Sequence, residues 1–164
     1  MAMYWKEISV NWGESDPFGL VYYPRIVAWF NDTEHELFRI IGHPIEQMIR
    51  KDRTTFVMGE IHFRFIGPAA YGDRIVTTIT MAEIGTHTLH WNCKAKNAAT
   101  GAAVAEGRAT RVYARINEDG TLTSQPIPLA MRNVLLELGD LKHMQANSGP
   151  TKLVAEQFLP DRER

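Results

Sequence analysis

A lone carboxylate, Asp16, sits within GESDPFGLVYYPRIVAWF (residues 13–30), where small and acidic residues give way to a continuous apolar segment with Pro24 near the join. Ser-Asp-Pro followed by Phe-Gly is good turn chemistry, because an Asp side chain bonds its own backbone and Pro presets φ. A plain turn therefore accounts for these residues. Two features point to chemistry as well. The stretch is unusually aromatic and apolar for a surface loop, with Phe18, Leu20, Val21, Tyr22 and Tyr23, as a loop lining something would be. It also feeds a helix start, whose first N–H groups lack intrahelical partners and favour negative charge. An ionised carboxylate held there suits a nucleophile or a general base, not a general acid.

Other reactive residue types are arranged less suggestively. Gly13-Glu14-Ser15-Asp16-Pro17 lacks the second glycine of a nucleophile elbow. Arg39, not a second histidine, lies four residues after His35, and His87 and His90 are three apart in a strand and so face opposite sides. No metal is expected. No glycine-rich loop precedes a helix, so no nucleotide cofactor is expected either. Cys93 alternates onto the face of Leu89 and Trp91, where a thiol acts as a small apolar core residue. Lys94 and Lys96 could meet a ligand phosphate, although lysines on an outward strand face ordinarily serve solubility.

These residues must be positioned by regular elements. Tyr4 to Trp12 alternates like a strand, and Tyr22 to Ile41 carries a wide apolar stripe at helical spacing (Tyr23, Val27, Phe30, Leu37, Ile41), with Pro24 suited to its first turn and Gly42 to its end. A short second helix is expected from His43 and Pro44 to about Lys51. Four strand-like runs follow: Phe56 to Ile66, Asp73 to Ile84, His87 to Asn97 and Ala102 to Ile116. In the first of them, Val57, Ile61, Phe63 and Phe65 share one face, opposite Glu60, His62 and Arg64. Asn117 to Gly120 is a turn. Pro128 to Leu138, with Met131, Val134, Leu135 and Leu138 in register, reads as a closing helix ended by Gly139. One strand, a long buried helix and four consecutive strands make an α+β domain over residues 1–140 with an antiparallel sheet, followed by an irregular tail at 141–164.

Composition narrows the class. Eighteen basic and nineteen acidic residues leave a formal net charge of -1, so no global field favours nucleic acid. The single cysteine excludes an intramolecular disulfide and a multi-cysteine zinc site, which fits a reducing compartment. Lys6 and Glu7 interrupt the N-terminal apolar run that a signal peptide needs, and no segment reaches the roughly 20 apolar residues of a membrane span. A cytoplasmic protein without a membrane partner is expected.

The stretch WGESDPFGLVYYPRIVAWFNDTEHELFR resembles the signature of the 4-hydroxybenzoyl-CoA thioesterase family of hot-dog proteins, an acidic loop D-x-D-x-x-G-x-V-x-Y leading into the central helix. Asp16, Gly19, Val21 and Tyr23 fill the second acid, glycine, valine and tyrosine positions, and Glu14 replaces the first acid. Tyr23-Pro24 is similar to the hydroxybenzoyl branch. The resemblance implies a five-stranded antiparallel sheet wrapped around the long helix, a dimer or a dimer-of-dimers homotetramer, and hydrolysis of an acyl-CoA without metal or dissociable cofactor at sites shared between subunits. It implies that Asp16 is the catalytic carboxylate and that the Tyr23 backbone N–H polarises the thioester carbonyl. Gly19, Val21, Tyr22 and His62 are then expected to contact substrate, His62 from a strand similar to the one that faces this helix end. A hot-dog protein that binds an acyl thioester without turnover is the alternative.

Overall fold

The computed structural model describes residues 3–140, and the expected tail at 141–164 lies outside them. The order is β1 (Met3–Ser9), α1 (Tyr23–Ile40), α2 (Ile45–Gln47), β2 (Thr54–Phe65), β3 (Arg74–Ile84), β4 (Thr88–Asn97), β5 (Ala103–Ile116), β6 (Leu122–Ser124) and α3 (Leu129–Asp140). The strands form one antiparallel sheet in the order β1-β3-β4-β5-β2, with β6 pairing the end of β5. This is the expected α+β arrangement, with one short strand more than the five expected. The three residues of β6 are all exposed, so no apolar period announces them.

α1 crosses the inner face of the sheet because its stripe Ile26, Trp29, Phe30, Leu37 and Phe38 is apolar and the inner face offers Ile75, Ile79, Leu89 and Trp91. Phe30 stacks on Phe63 of β2 at 5.1 Å, and Phe38 meets Phe56 at the same separation. Sealing a phenylalanine such as Phe38 is worth about 2–3 kcal/mol. The polar residues in this stripe are paired: the Thr33 hydroxyl donates to the Trp29 carbonyl and lies 2.8 Å from Thr77 Oγ1. The helix starts with Pro24 in its first turn. It closes in a Schellman motif, with the His43 N–H on the Phe38 carbonyl and the Gly42 N–H on the Arg39 carbonyl.

Three boundaries differ from the sequence expectation. β1 stops at Ser9, and Trp12–Glu14 forms a 3-10 turn in place of the expected strand end, because the Glu14 carboxylate accepts the Asn11 N–H at 2.7 Å. In β2 the pairing with β5 slips between Met58 and Glu60. The bulge takes up one residue, so Phe56 joins Ile61 and Phe63 on the inner face, and Val57 does not. α3 runs past Gly139 to Asp140, its apolar side held by Met131, Leu135 and Leu138 and its Arg132 donating to the carbonyls of Ile84 and Gly85. One interior glycine costs a helix only about 1 kcal/mol. The second helix, α2, continues as a single π-turn at Met48–Asp52, close to its expected end.

Candidate active site

The acidic loop is a three-residue hairpin. The Asp16 carbonyl accepts the Gly19 N–H at 3.0 Å, and the Asp16 N–H donates to the Leu20 carbonyl at 2.7 Å. Gly19 adopts φ +79°, a left-handed conformation that closes such a turn and that a side chain would strain. Asp16 Oδ1 accepts two further main-chain bonds, from Phe18 at 2.8 Å and Leu20 at 3.1 Å. Asp16 is half-buried, and its Oδ2 has no protein donor among the described residues.

Further contacts close this hairpin and tie it to α1. Ser15 pairs with Val21, and the Tyr22 N–H donates to the Glu14 carbonyl at 2.9 Å. Glu14 also accepts the Trp29 indole N–H through Oε1 at 2.9 Å. The acid in the first motif position therefore joins the loop to the helix, reaching Trp29 with a side chain one methylene longer than aspartate. Val21 is buried in the core and donates its N–H to the Ala69 carbonyl at 2.8 Å. At the helix start the Arg25 N–H turns back to the Tyr22 carbonyl, Pro24 has none, and the Tyr23 N–H has no protein acceptor among the described residues. One main-chain donor thus remains open at the positive end of α1.

Asp16, Gly19, Val21, Tyr22 and Tyr23 form one continuous unit. His62 is not part of it. Because Phe63 meets α1, its neighbour His62 points to the other side of the sheet, where it is exposed beside Arg64, Lys94 and Arg108. Around the loop the surface is aromatic. Trp12 and Tyr71 pack edge to face at 5.4 Å, Tyr22 contacts Tyr23 at 5.3 Å, and Tyr23 contacts Phe65 at 5.6 Å, yet all five rings remain about half exposed or more.

A cavity of about 440 Å³ lies between α1 and the inner faces of β2, β4 and β5. It begins at Pro24 and Val27, beside Tyr23, and Phe30, Ile61, Phe63 and Ala109 make its walls apolar. Farther along α1 it meets Asn31, Glu34 and Arg111. Glu34 and Arg111 form a buried ion pair with Nη2 to Oε2 at 2.6 Å, and the Trp91 indole donates to Glu34 Oε1 at 2.9 Å. Sequence reading missed this cluster. Its signal was a charged residue, Glu34, inside an apolar helical stripe, and an arginine on the buried side of β5. Cys93 also borders the cavity, and burial, reinforced by the Glu34 carboxylate, pushes its thiol up to about 12.

Among the described residues no helix is long and apolar enough to cross a membrane. The family model described as the thioesterase-like superfamily matches residues 10–137. Among solved structures, the chain is similar to a 1,4-dihydroxy-2-naphthoyl-CoA thioesterase from Synechocystis at 16% identity and a TM-score of 0.77, over 84% of this chain and 98% of that one. It is similar to the 4-hydroxybenzoyl CoA thioesterase of Pseudomonas sp. strain CBS-3 at 17% identity and a TM-score of 0.74, over 82% and 99%. A gentisyl-coenzyme A thioesterase is 23% identical with a TM-score of 0.69, over 78% and 98%. Identities this low carry the fold alone, whereas the family match spans the acidic loop, α1 and the sheet. The chain therefore belongs to the thioesterase-like superfamily, whose members are hot-dog thioester hydrolases.

Proposed function

We propose that the protein hydrolyses an acyl-CoA thioester, with a hydroxybenzoyl-like aromatic acyl group, to the free acid and CoA. Asp16 acts as nucleophile or general base, and the Tyr23 N–H polarises the carbonyl. The observation that carries this is the pairing of two open groups on one rigid unit: Asp16 Oδ2, whose companion oxygen is anchored by its turn, and the unpaired N–H at the start of α1. Thioester hydrolysis builds negative charge on the carbonyl oxygen, and one fixed main-chain donor aimed at that charge is worth roughly 3 kcal/mol. Because a thiolate is a tolerable leaving group, no strong acid is needed. Asp16 Oδ2 either attacks the carbonyl carbon, expelling CoA thiolate and leaving an anhydride for water to cleave, or takes a proton from the attacking water.

The exposed rings Trp12, Phe18, Tyr22, Phe65 and Tyr71 suit coverage by a second copy of the chain, which supports a homodimer or tetramer with shared sites. In such an assembly Gly19 and Tyr22 contact substrate, and His62 serves from its own face. A reducing cytoplasm suits the one buried thiol, Cys93.

Binding without turnover is the second reading, favoured by the use of Asp16 Oδ1 within its own turn. Asp16→Asn separates the two, because the amide oxygen still accepts both turn N–H groups. The variant is expected to fold and assemble as wild type while thiol release from acyl-CoAs falls by about a hundredfold or more. Wild-type turnover in this variant would defeat the assignment. Tight binding with no hydrolysis of any aromatic or aliphatic acyl-CoA by the wild type would favour the binding protein.

A further inference from the structure

Resting on the thioesterase reading, we propose that Glu14 is a positioning residue: its hydrogen bond to the Trp29 indole sets the angle between the acidic hairpin and α1, and so the separation of Asp16 Oδ2 from the Tyr23 N–H. The two acting groups stand on different segments. Asp16 is held by bonds to Phe18, Gly19 and Leu20, all inside the hairpin, whereas the Tyr23 N–H is carried by the helix. The bonds between hairpin and helix therefore decide how these groups face each other.

Main-chain contacts alone leave a pivot. The Ser15–Val21 bridge and the Tyr22 N–H on the Glu14 carbonyl, at 2.9 Å, close the hairpin but end before the first residue of α1. The Glu14 side chain adds a second point of attachment at Trp29 Nε1, 2.9 Å from its Oε1. That point lies about 9 Å farther along the helix axis than Tyr23. Two separated attachments fix an angle that one does not. The link is anchored at both ends, since Trp29 is buried in the core and Glu14 Oε2 accepts the Asn11 N–H at 2.7 Å. With one oxygen on Asn11 and the other on Trp29, Glu14 is a strut and not a second catalytic carboxylate. A reacting group displaced by about 1 Å loses on the order of a hundredfold in rate, so the strut acts on turnover more than on binding.

Thiol release from 4-hydroxybenzoyl-CoA, or from the acyl-CoA that the wild type turns over fastest, is measured for Glu14→Ala, Trp29→Phe, their double variant and Glu14→Gln. Each of the first two is expected to lower kcat by at least about tenfold with KM within about twofold. The double variant is expected to fall no further than either, because both changes remove one interaction. Glu14→Gln is expected to stay within about threefold of wild type, since its amide oxygen still accepts the indole N–H. Met131→Ala, on the buried face of α3, controls for lost stability and is expected to lower Tm while keeping kcat. An unchanged kcat in Glu14→Ala, additive losses, a rise in KM alone, or a Glu14→Gln as slow as Glu14→Ala overturns the positioning role and leaves the thioesterase reading intact. If Trp29→Phe does not fold, Glu14→Ala and Glu14→Gln decide by the same criteria. If the wild type hydrolyses no acyl-CoA, the thioesterase reading fails, and crystal structures of wild type and Glu14→Ala decide the positioning. A separation of Asp16 Oδ2 from the Tyr23 nitrogen changed by at least about 0.5 Å supports it, and an unchanged one overturns it.

Discussion

Asp16 serves its own turn with one oxygen and leaves the other open, so structural and chemical roles coexist in a single side chain. Glu14 has the complementary role: its two oxygens hold Asn11 and Trp29, and its carbonyl holds Tyr22. Cys93 makes a separate test of the interior. Its buried thiol titrates only near 12, so the folded state keeps the proton over a range where the unfolded chain gives it up. The stability this contributes is complete below the ordinary thiol range and is lost as pH rises through it towards 12. At pH 8 the folded protein is expected to react with a disulfide reagent far more slowly than the same protein in denaturant, because the thiolate is the reactive species. Equal rates in the two states would show that the thiol is open.

Among the elements, the tightest constraint lies where β2 meets β5. Phe63 pairs in register with Gly107, and a Cβ on Gly107 would collide with the His62 carbonyl oxygen and stand 2.6 Å from the Phe63 ring. A backbone oxygen cannot swing aside as a side chain can, so Gly107→Ala must push β2 away from β5 and disturb the stacking of Phe63 on Phe30. Overpacking of this kind costs about 1–3 kcal/mol. A fall in Tm of several degrees is expected in thermal unfolding. An unchanged Tm would mean that the two strands lie farther apart.

For the whole molecule, β2 is an edge strand and carries exposed Met58, Ile61 and Phe65, with Ile66 just beyond it. A long apolar edge invites pairing with another chain. Phe65 also touches Tyr23, whose N–H is the proposed carbonyl donor. Phe65→Asp is therefore expected to shift the protein to a smaller species in size-exclusion chromatography and to lower turnover together with assembly. A wild type that is monomeric at micromolar concentration and fully active would refute shared sites.

What the sequence by itself determined is local. The turn at Asp16 to Gly19, the Pro24 start and Gly42 end of α1, and the alternation of β3 and β4 have causes within a few residues: a side chain reaching its own backbone, a ring that presets φ, a period of two. The tertiary structure alone decided the rest. The bulge after Met58 moves Val57 off the inner face, His62 turns away from the acidic loop, and Glu34 finds Arg111 across 77 positions of chain. Cross-strand register and the choice of face against α1 are settled by packing between distant segments. No short window of residues contains that information.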